Sequence, residues 1–195
     1  MQVNSTHPLL ILSEIDNAYR EKSGKTKAPV LSKNDTWSGI GFRIMKDELI
    51  IQNTCIDEII SADFQRNLSS MPGAKNWLLG LISLRGQPLP VIDLKQYFFN
   101  QKSQITEHSR LVVIKSEHHV YGLFLEHVYG LKQFPSPPSR SAEQEQKQKE
   151  KNISHIFSAN VKDFIDNIFD DNGICRGHLS ITRLTNNTDF ANAAR

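Results

Sequence analysis

Residues 77–94 read Trp-Leu-Leu-Gly-Leu-Ile-Ser-Leu-Arg-Gly-Gln-Pro-Leu-Pro-Val-Ile-Asp-Leu. Two short apolar runs are joined through Arg85-Gly86-Gln87, and each is too short for a helix, so the stretch predicts a pair of strands about a tight turn. Pro88 and Pro90 carry no N–H and are confined to an edge, a strand start or a turn. Arg85, between Leu84 and Gly86 at a strand end, offers a planar fork of five donors and cannot be buried alone. It is either paired with a carboxylate of its own fold or an anchor for a partner; spacing does not choose between the two.

Outward from this stretch the texture stays β-like. Short Ile, Val and Leu runs recur about every ten residues, the spacing of an all-β barrel or sandwich. Gly41 to Met45 and Glu48 to Gln52 form a candidate hairpin about Lys46-Asp47, and Ile56 to Ser61 continues as strand. Asp63 to Met71 is a polar loop with room for one helical turn. Leu111 to Lys115 pairs with Val120 to Leu125, and Val128 to Phe134 is expected to continue that meander. Phe134 to Ser139 holds three prolines and ends the regular sheet. Val161, Phe164, Ile165, Ile168 and Phe169 are spaced as on a helix, whereas Asp171-Asn172-Gly173 and Ile174 to Ile181 signal a hairpin; the residues alone leave both open.

Towards the N-terminus, Leu9, Leu12, Ile15 and Tyr19 form an apolar stripe at helical spacing after Pro8, which predicts an amphipathic helix over about 8–22. Residues 23–36 read as a linker, and the folded domain is expected from about residue 37 to 188. Within it, residues 136–153 form a charged, proline-bearing insert too polar to offset the entropy of ordering. Residues 189–195 are expected to be a tail.

Composition limits function. The 195 residues carry 23 Lys and Arg against 21 Asp and Glu, 38% hydrophobic residues and two cysteines. A net charge of +2 gives no surplus for tracking phosphates, so nucleic acid is not an expected partner. No apolar run approaches the ~20 residues that cross a bilayer, so no direct membrane insertion is expected and the predicted location is cytoplasmic. Cys55 and Cys175, far apart and without Cys-x-x-Cys spacing, read as reduced thiols.

No catalytic constellation assembles from spacing. His118-His119 and His127 lack a metal-binding pattern, because adjacent histidines in a strand point to opposite sides. Asp93 is expected to bond amides at a strand end. Gly73, Gly80 and Gly86 form no phosphate-binding motif and are expected to serve backbone geometry. No cofactor and no enzymatic activity are predicted.

The run Gly80-Leu-Ile-Ser-Leu-Arg-Gly-Gln-Pro-Leu-Pro-Val-Ile-Asp-Leu94 resembles the signature of CheW-type chemotaxis coupling proteins. Gly41 to Glu58 is similar to that family's opening hairpin and following strand, and Tyr121 to Val128 to its Gly-x-x-Val-Asp-x-Val strand. Trp37 to Phe42, Met71 to Gly80 and the N-terminal extension look most like its type IV pilus, twitching-motility branch. The resemblance covers about residues 39–185. It implies two small five-stranded SH3-like β-barrels sharing a core, with Phe164 to Phe169 and Ile174 to Ile181 as a strand pair. It also implies a non-catalytic adaptor, recruited to membrane-associated receptor arrays. The partners would be the cytoplasmic tip of a methyl-accepting chemoreceptor and the regulatory domain of a CheA-type histidine kinase. Carried over by position, the receptor-binding groove falls on Ile56, Glu58, Gly80 and Arg85. The chain departs from the family pattern at Ser83, Ile56 and Glu126, where the family has Asn, Val and Asp. The alternative is an oligonucleotide-binding barrel using Tyr97, Phe98 and Phe99 near Lys95 and Lys102 to stack single-stranded bases.

Overall fold

The computed structural model describes residues 36–116, 119–135 and 153–192. The expected N-terminal helix, residues 136–152 of the charged insert and His118 lie outside them. Ten strands form two five-stranded sheets: β1 (Thr36–Ile44), β2 (Asp47–Gln52), β3 (Ile56–Ser61), β4 (Leu78–Leu84), β5 (Gln87–Asp93), β6 (Arg110–Lys115), β7 (Val120–Leu125), β8 (His127–Pro135), β9 (Ile165–Asp171) and β10 (Ile174–Leu179). Short helices α1 (Leu94–Phe99), α2 (Ala159–Lys162), α3 (Ile181–Asn186) and α4 (Thr188–Ala191) lie between and after them. The polar loop after β3 holds the expected turn, a 3-10 segment at Ala62–Asn67.

The strand order is β8-β1-β2-β10-β9 in the first sheet and β3-β6-β7-β5-β4 in the second. The two orders repeat one topology: the central pair is parallel, β2 with β10 and β7 with β5, and every other pairing is antiparallel. The second sheet is built from one continuous stretch of chain inserted between β2 and β8 of the first. Each sheet curls until its outer strands meet. Phe134 of β8 lies 5.3 Å, ring to ring, from Phe169 of β9, and Lys132 of β8 reaches Asp171 of β9 at 3.3 Å. In the second sheet, Arg85 beyond β4 reaches Glu58 of β3 at 2.7 Å.

Two strand expectations need correction, and the strand pair expected from the resemblance about Asn172-Gly173 is present. Val128 to Phe134 does not continue the β6–β7 meander; β8 crosses to pair with β1 in the other sheet, from Thr36 opposite Pro135 to Arg43 opposite His127. Residues 164–169 are extended from Ile165 onward and pair with β10 about Asn172-Gly173, whose positive φ angles of 56° and 83° suit the tight hairpin. Helical spacing fails here because β9 and the preceding helical turn both bury apolar residues, which mixes the two periods. Finally, Ile181 starts α3 and does not end β10, since the Ser180 side chain accepts from the Arg183 amide and caps a helix there.

Core formation explains why these runs are apolar without a break. In β6, Leu111, Val112, Val113 and Ile114 are all fully buried. Val112 and Ile114 join a core shared with Phe42, Leu49 and Ile51 of the first sheet, whereas Leu111 and Val113 pack inside the second barrel against Phe64, Leu89 and Phe124. A strand buried on both faces has no polar side to alternate with. Two boundaries also move. Ile153 and Phe190 belong to the shared core, 7% and 1% exposed, so the domain resumes at 153 and runs past 188 through α4. Phe190 stacks on Trp77 at 5.8 Å and edges onto Tyr97 and Tyr121.

Candidate interaction surface

The β4–β5 turn is a two-residue loop, Leu84 facing Gln87, with Arg85 at φ 52° and Gly86 at φ 80°. Such a turn favours Asn or Gly at its first position; an arginine there holds a left-handed backbone at some cost. Hairpin alternation places Pro88 and Pro90, opposite Ser83 and Leu81, at sites whose N–H would not have pointed at β4. Neither proline breaks the ladder.

From this turn the Arg85 guanidinium donates to Glu58 Oε2 at 2.7 Å and lies 3.6 Å from Asp57 Oδ2. Asp57 is drawn in by a bulge, because β3 slips by one residue against β6 between Ile56 and Glu58. Its other oxygen accepts from Lys115 Nζ at 2.6 Å. The result is an alternating strip, Lys115, Asp57, Arg85, Glu58. Hydrogen bonding from Lys115, reinforced by the Lys115 and Arg85 charges, holds the Asp57 carboxyl below its ordinary value despite desolvation.

Of the four predicted groove residues, two meet directly. Arg85 and Glu58 are bonded, so the carboxylate-pair reading of Arg85 is correct; its side chain nevertheless stays 68% exposed, which leaves the anchor reading intact. Ile56 is half-buried and packs on the shared core. Gly80 lies five residues back along β4, roughly 16 Å from the turn at strand rise, and its work is structural. At φ 144° a Cβ there would overlap the Ser69 carbonyl oxygen. Its absence lets Ser69 exchange two backbone hydrogen bonds with Leu81, 2.8 and 2.9 Å, and cover the outer edge of β4.

Sequence reasoning missed Asp57 and Lys115. The Asp57-Glu58 pair hints at the first, but Lys115 is visible only once β6 is known to lie beside β3. Lys115 also walls a cleft of about 210 Å³ with Cys55, Tyr121, Ile181 and Thr185, formed by β6, β7 and α3. Burial pushes the Cys55 thiol up, against a bond from Thr54.

Other candidates resolve as structure. Asp93, fully buried, accepts from the Gln96 amide at 3.0 Å and from the Ser103 amide and hydroxyl at 2.8 and 2.7 Å, which caps α1 and pins the loop after it. Glu126 takes Lys95 at 2.8 Å and the Gln104 amide at 3.2 Å. Among the described residues no three His, Cys, Asp or Glu side chains converge as metal ligands. The aromatics of the oligonucleotide reading turn inward: Phe98 is 6% exposed, and Tyr97, packed among Trp77, Phe98 and Phe190, has its hydroxyl pushed up to about 12 by burial and the Asp189 charge. No helix among the described residues is long and apolar enough to cross a membrane.

Residues 38–165 match the family described as the CheW-like domain. The chain is 27% identical over 128 residues to Protein PilI of Pseudomonas aeruginosa, spanning 66% of this chain and 70% of that protein. Its fold is similar to the crystal structure of the scaffolding protein TtCheW from Thermoanaerobacter tengcongensis, with a TM-score of 0.53 at 19% identity over 73% of this chain and 88% of that one.

Proposed function

As a member of the CheW-like domain family, the chain is a coupling adaptor, and we propose that it is non-catalytic and joins a chemoreceptor's cytoplasmic tip to the regulatory domain of a CheA-type histidine kinase. Its similarity to a protein named PilI supports placing that coupling in the control of type IV pilus twitching motility. The observation that carries the reading is Arg85. It is held at positive φ, bonded to Glu58, yet still mostly in solvent. A fold that needed only the ion pair could bury it; a surface that needs a fixed, accessible fork looks like this one. Recruitment to receptor arrays would follow from several such weak faces engaging together.

The test is size-exclusion co-elution of the chain with a receptor cytoplasmic fragment and with the isolated kinase regulatory domain, using wild type and Arg85→Ala. Wild type is expected to bind both partners, and the variant to bind the kinase domain but not the receptor fragment. Binding of neither partner at low salt would sink the reading, and so would loss of cooperative unfolding in Arg85→Ala, because the side chain would then be a structural strut.

A further inference from the structure

Asn172 and Gly173 form the tip of the hairpin that closes the first sheet, and both are exposed. An asparagine followed by glycine carries a latent cyclisation: the glycine nitrogen, whose own residue has no Cβ to crowd the approach, attacks the asparagine side-chain carbon and expels ammonia. In the folded hairpin the two reacting groups are tied to different acids. Gly173 N–H donates to Asp170 Oδ1 at 2.8 Å, and Asn172 Nδ2 donates to Asp171 Oδ1 at 3.2 Å. Both acids are themselves fixed. The other oxygen of Asp171 meets Arg176 at 3.0 Å and Lys132 at 3.3 Å, and Asp170 stands opposite Cys175 in the β9–β10 ladder.

We infer that Asn172 is a deamidation site and that Asp170 keeps it latent while the hairpin is closed. In the step, the Gly173 nitrogen loses its proton and bonds to Cγ of Asn172, closing a succinimide ring. The Cγ–Nδ2 bond breaks, and the side-chain nitrogen leaves as ammonia with the proton given up by the backbone. Solvent water then opens the ring at either carbonyl and leaves aspartate or isoaspartate, with no change of oxidation state. Asp170 opposes the first move twice. Its carboxylate holds the N–H in a charge-assisted bond, and its negative charge disfavours the amide anion that attack requires. The product bears on the fold. Isoaspartate routes the main chain through Cβ and adds an atom to a two-residue turn, so Asp171 no longer stays opposite Ile174. Because β9 carries Phe169 against Phe134 and Asp171 against Lys132, loss of that register loosens the first sheet and leaves the second alone. None of this depends on the coupling reading.

The test is ageing of the full chain at mildly alkaline pH, followed by peptide mapping that resolves asparagine, aspartate and isoaspartate at position 172. Wild type, Asp170→Ala and Asp170→Asn are each aged folded in buffer and unfolded in guanidinium chloride. Asp170 is exposed, and a cooperative unfolding transition verifies that each variant starts folded. Unfolded wild type should convert at 172 and folded wild type should resist. Asp170→Ala should speed conversion of the folded chain roughly tenfold, as for loss of one hydrogen bond to a charged group. Asp170→Asn keeps an acceptor oxygen without the charge and should fall between the two, while all three unfolded chains should convert alike. Purified isoaspartyl chain should unfold at a lower denaturant concentration than fresh protein. Absence of conversion at 172 in guanidinium overturns the site, and equal rates for folded and unfolded wild type overturn the protection. A folded Asp170→Ala rate equal to wild type, or a variant effect equally large in guanidinium, overturns the role of Asp170. Should Asp170→Ala not fold, Asp170→Asn decides: it must convert faster than wild type when folded, and an unchanged rate overturns that role.

Discussion

The two sheets share a topology and close by opposite means. In the first, the outer strands are sealed from within: Trp37, Phe134 and Phe169 meet ring to ring, and Arg176, 6% exposed, binds Glu48 at 2.6 Å and Asp171 at 3.0 Å beneath the Tyr129 ring. In the second, the outer strands are bridged at the surface by Arg85 and Glu58. The hairpin tips differ in the same sense. Asn172-Gly173 is what a left-handed two-residue turn prefers, and Arg85-Gly86 is not. Asn172-Gly173 closes a hairpin beside a buried charge cluster, whereas Arg85 holds a left-handed backbone and keeps its side chain 68% exposed on the proposed interaction surface.

Removing the buried closure should have the largest effect. Arg176→Ala leaves Glu48 and Asp171 without their shared buried cation, with Lys132, Arg43 and Tyr129 as the remaining neighbours, and should cost about 3 kcal/mol, the lower end for a broken buried pair because both carboxylates keep some water. Equilibrium urea unfolding measures it; a loss under about 1 kcal/mol would mean that the first sheet is no more dependent on its charges than the second. Next comes Gly80→Ala. The strained φ of 144° and the overlap of the new Cβ with the Ser69 carbonyl should cost about 2 kcal/mol. Thermal unfolding together with receptor binding shows whether any binding defect exceeds the unfolded fraction; a defect in a fully folded variant would return Gly80 to the interaction surface.

A smaller effect distinguishes the sheets by pH. His178 stands 5.3 Å from the Trp37 ring, and burial among these groups pushes its imidazole below its ordinary value, with Asp166 opposing. The unfolded chain then binds a proton that the folded chain resists. The stability contributed by the neutral ring is complete above the unfolded value of 6.5 and is lost as pH falls from there through the lower folded value. Urea midpoints at pH 7, 6 and 5 should fall in wild type and fall less in His178→Phe. Parallel slopes for the two proteins would assign the acid sensitivity elsewhere.

Local chemistry made most of the strands legible: Pro88 and Pro90 marked a hairpin arm, Asn172-Gly173 a turn, and the apolar runs at 111–115 and 120–125 a strand pair. Pairing was less legible. The run of β8 says strand, yet nothing in it says that its neighbour is β1, some ninety residues earlier, because strand exchange between sheets is decided by the shared core. Phe190 was missed for a related reason: a four-residue helix is too short to show a period, and a lone phenylalanine among Asp189, Ala191 and Asn192 looks like a tail until Trp77 is beside it. At the site, Arg85 and Glu58 came from motif positions, whereas Asp57 and Lys115 depend on a bulge and on the curl that brings outer strands together. Those are properties of the closed sheet, absent from any single segment.

The smallest expected change in stability is the most informative for the comparison between sheets. Arg85→Asn gives the second hairpin the turn residue that the first already has. It relieves the left-handed strain at φ 52° and removes an ion pair whose arginine is 68% exposed, and an exposed pair contributes little once screened by solvent. The two changes oppose, so unfolding stability should move by less than about 0.5 kcal/mol, in the direction of a gain. Receptor binding should nevertheless disappear, because asparagine has neither the reach nor the fork. Stability rising while binding falls would mean that the turn has been held away from its structural optimum for recognition. If both fall together, Arg85 closes the second sheet as Arg176 closes the first, and the difference between the two closures disappears.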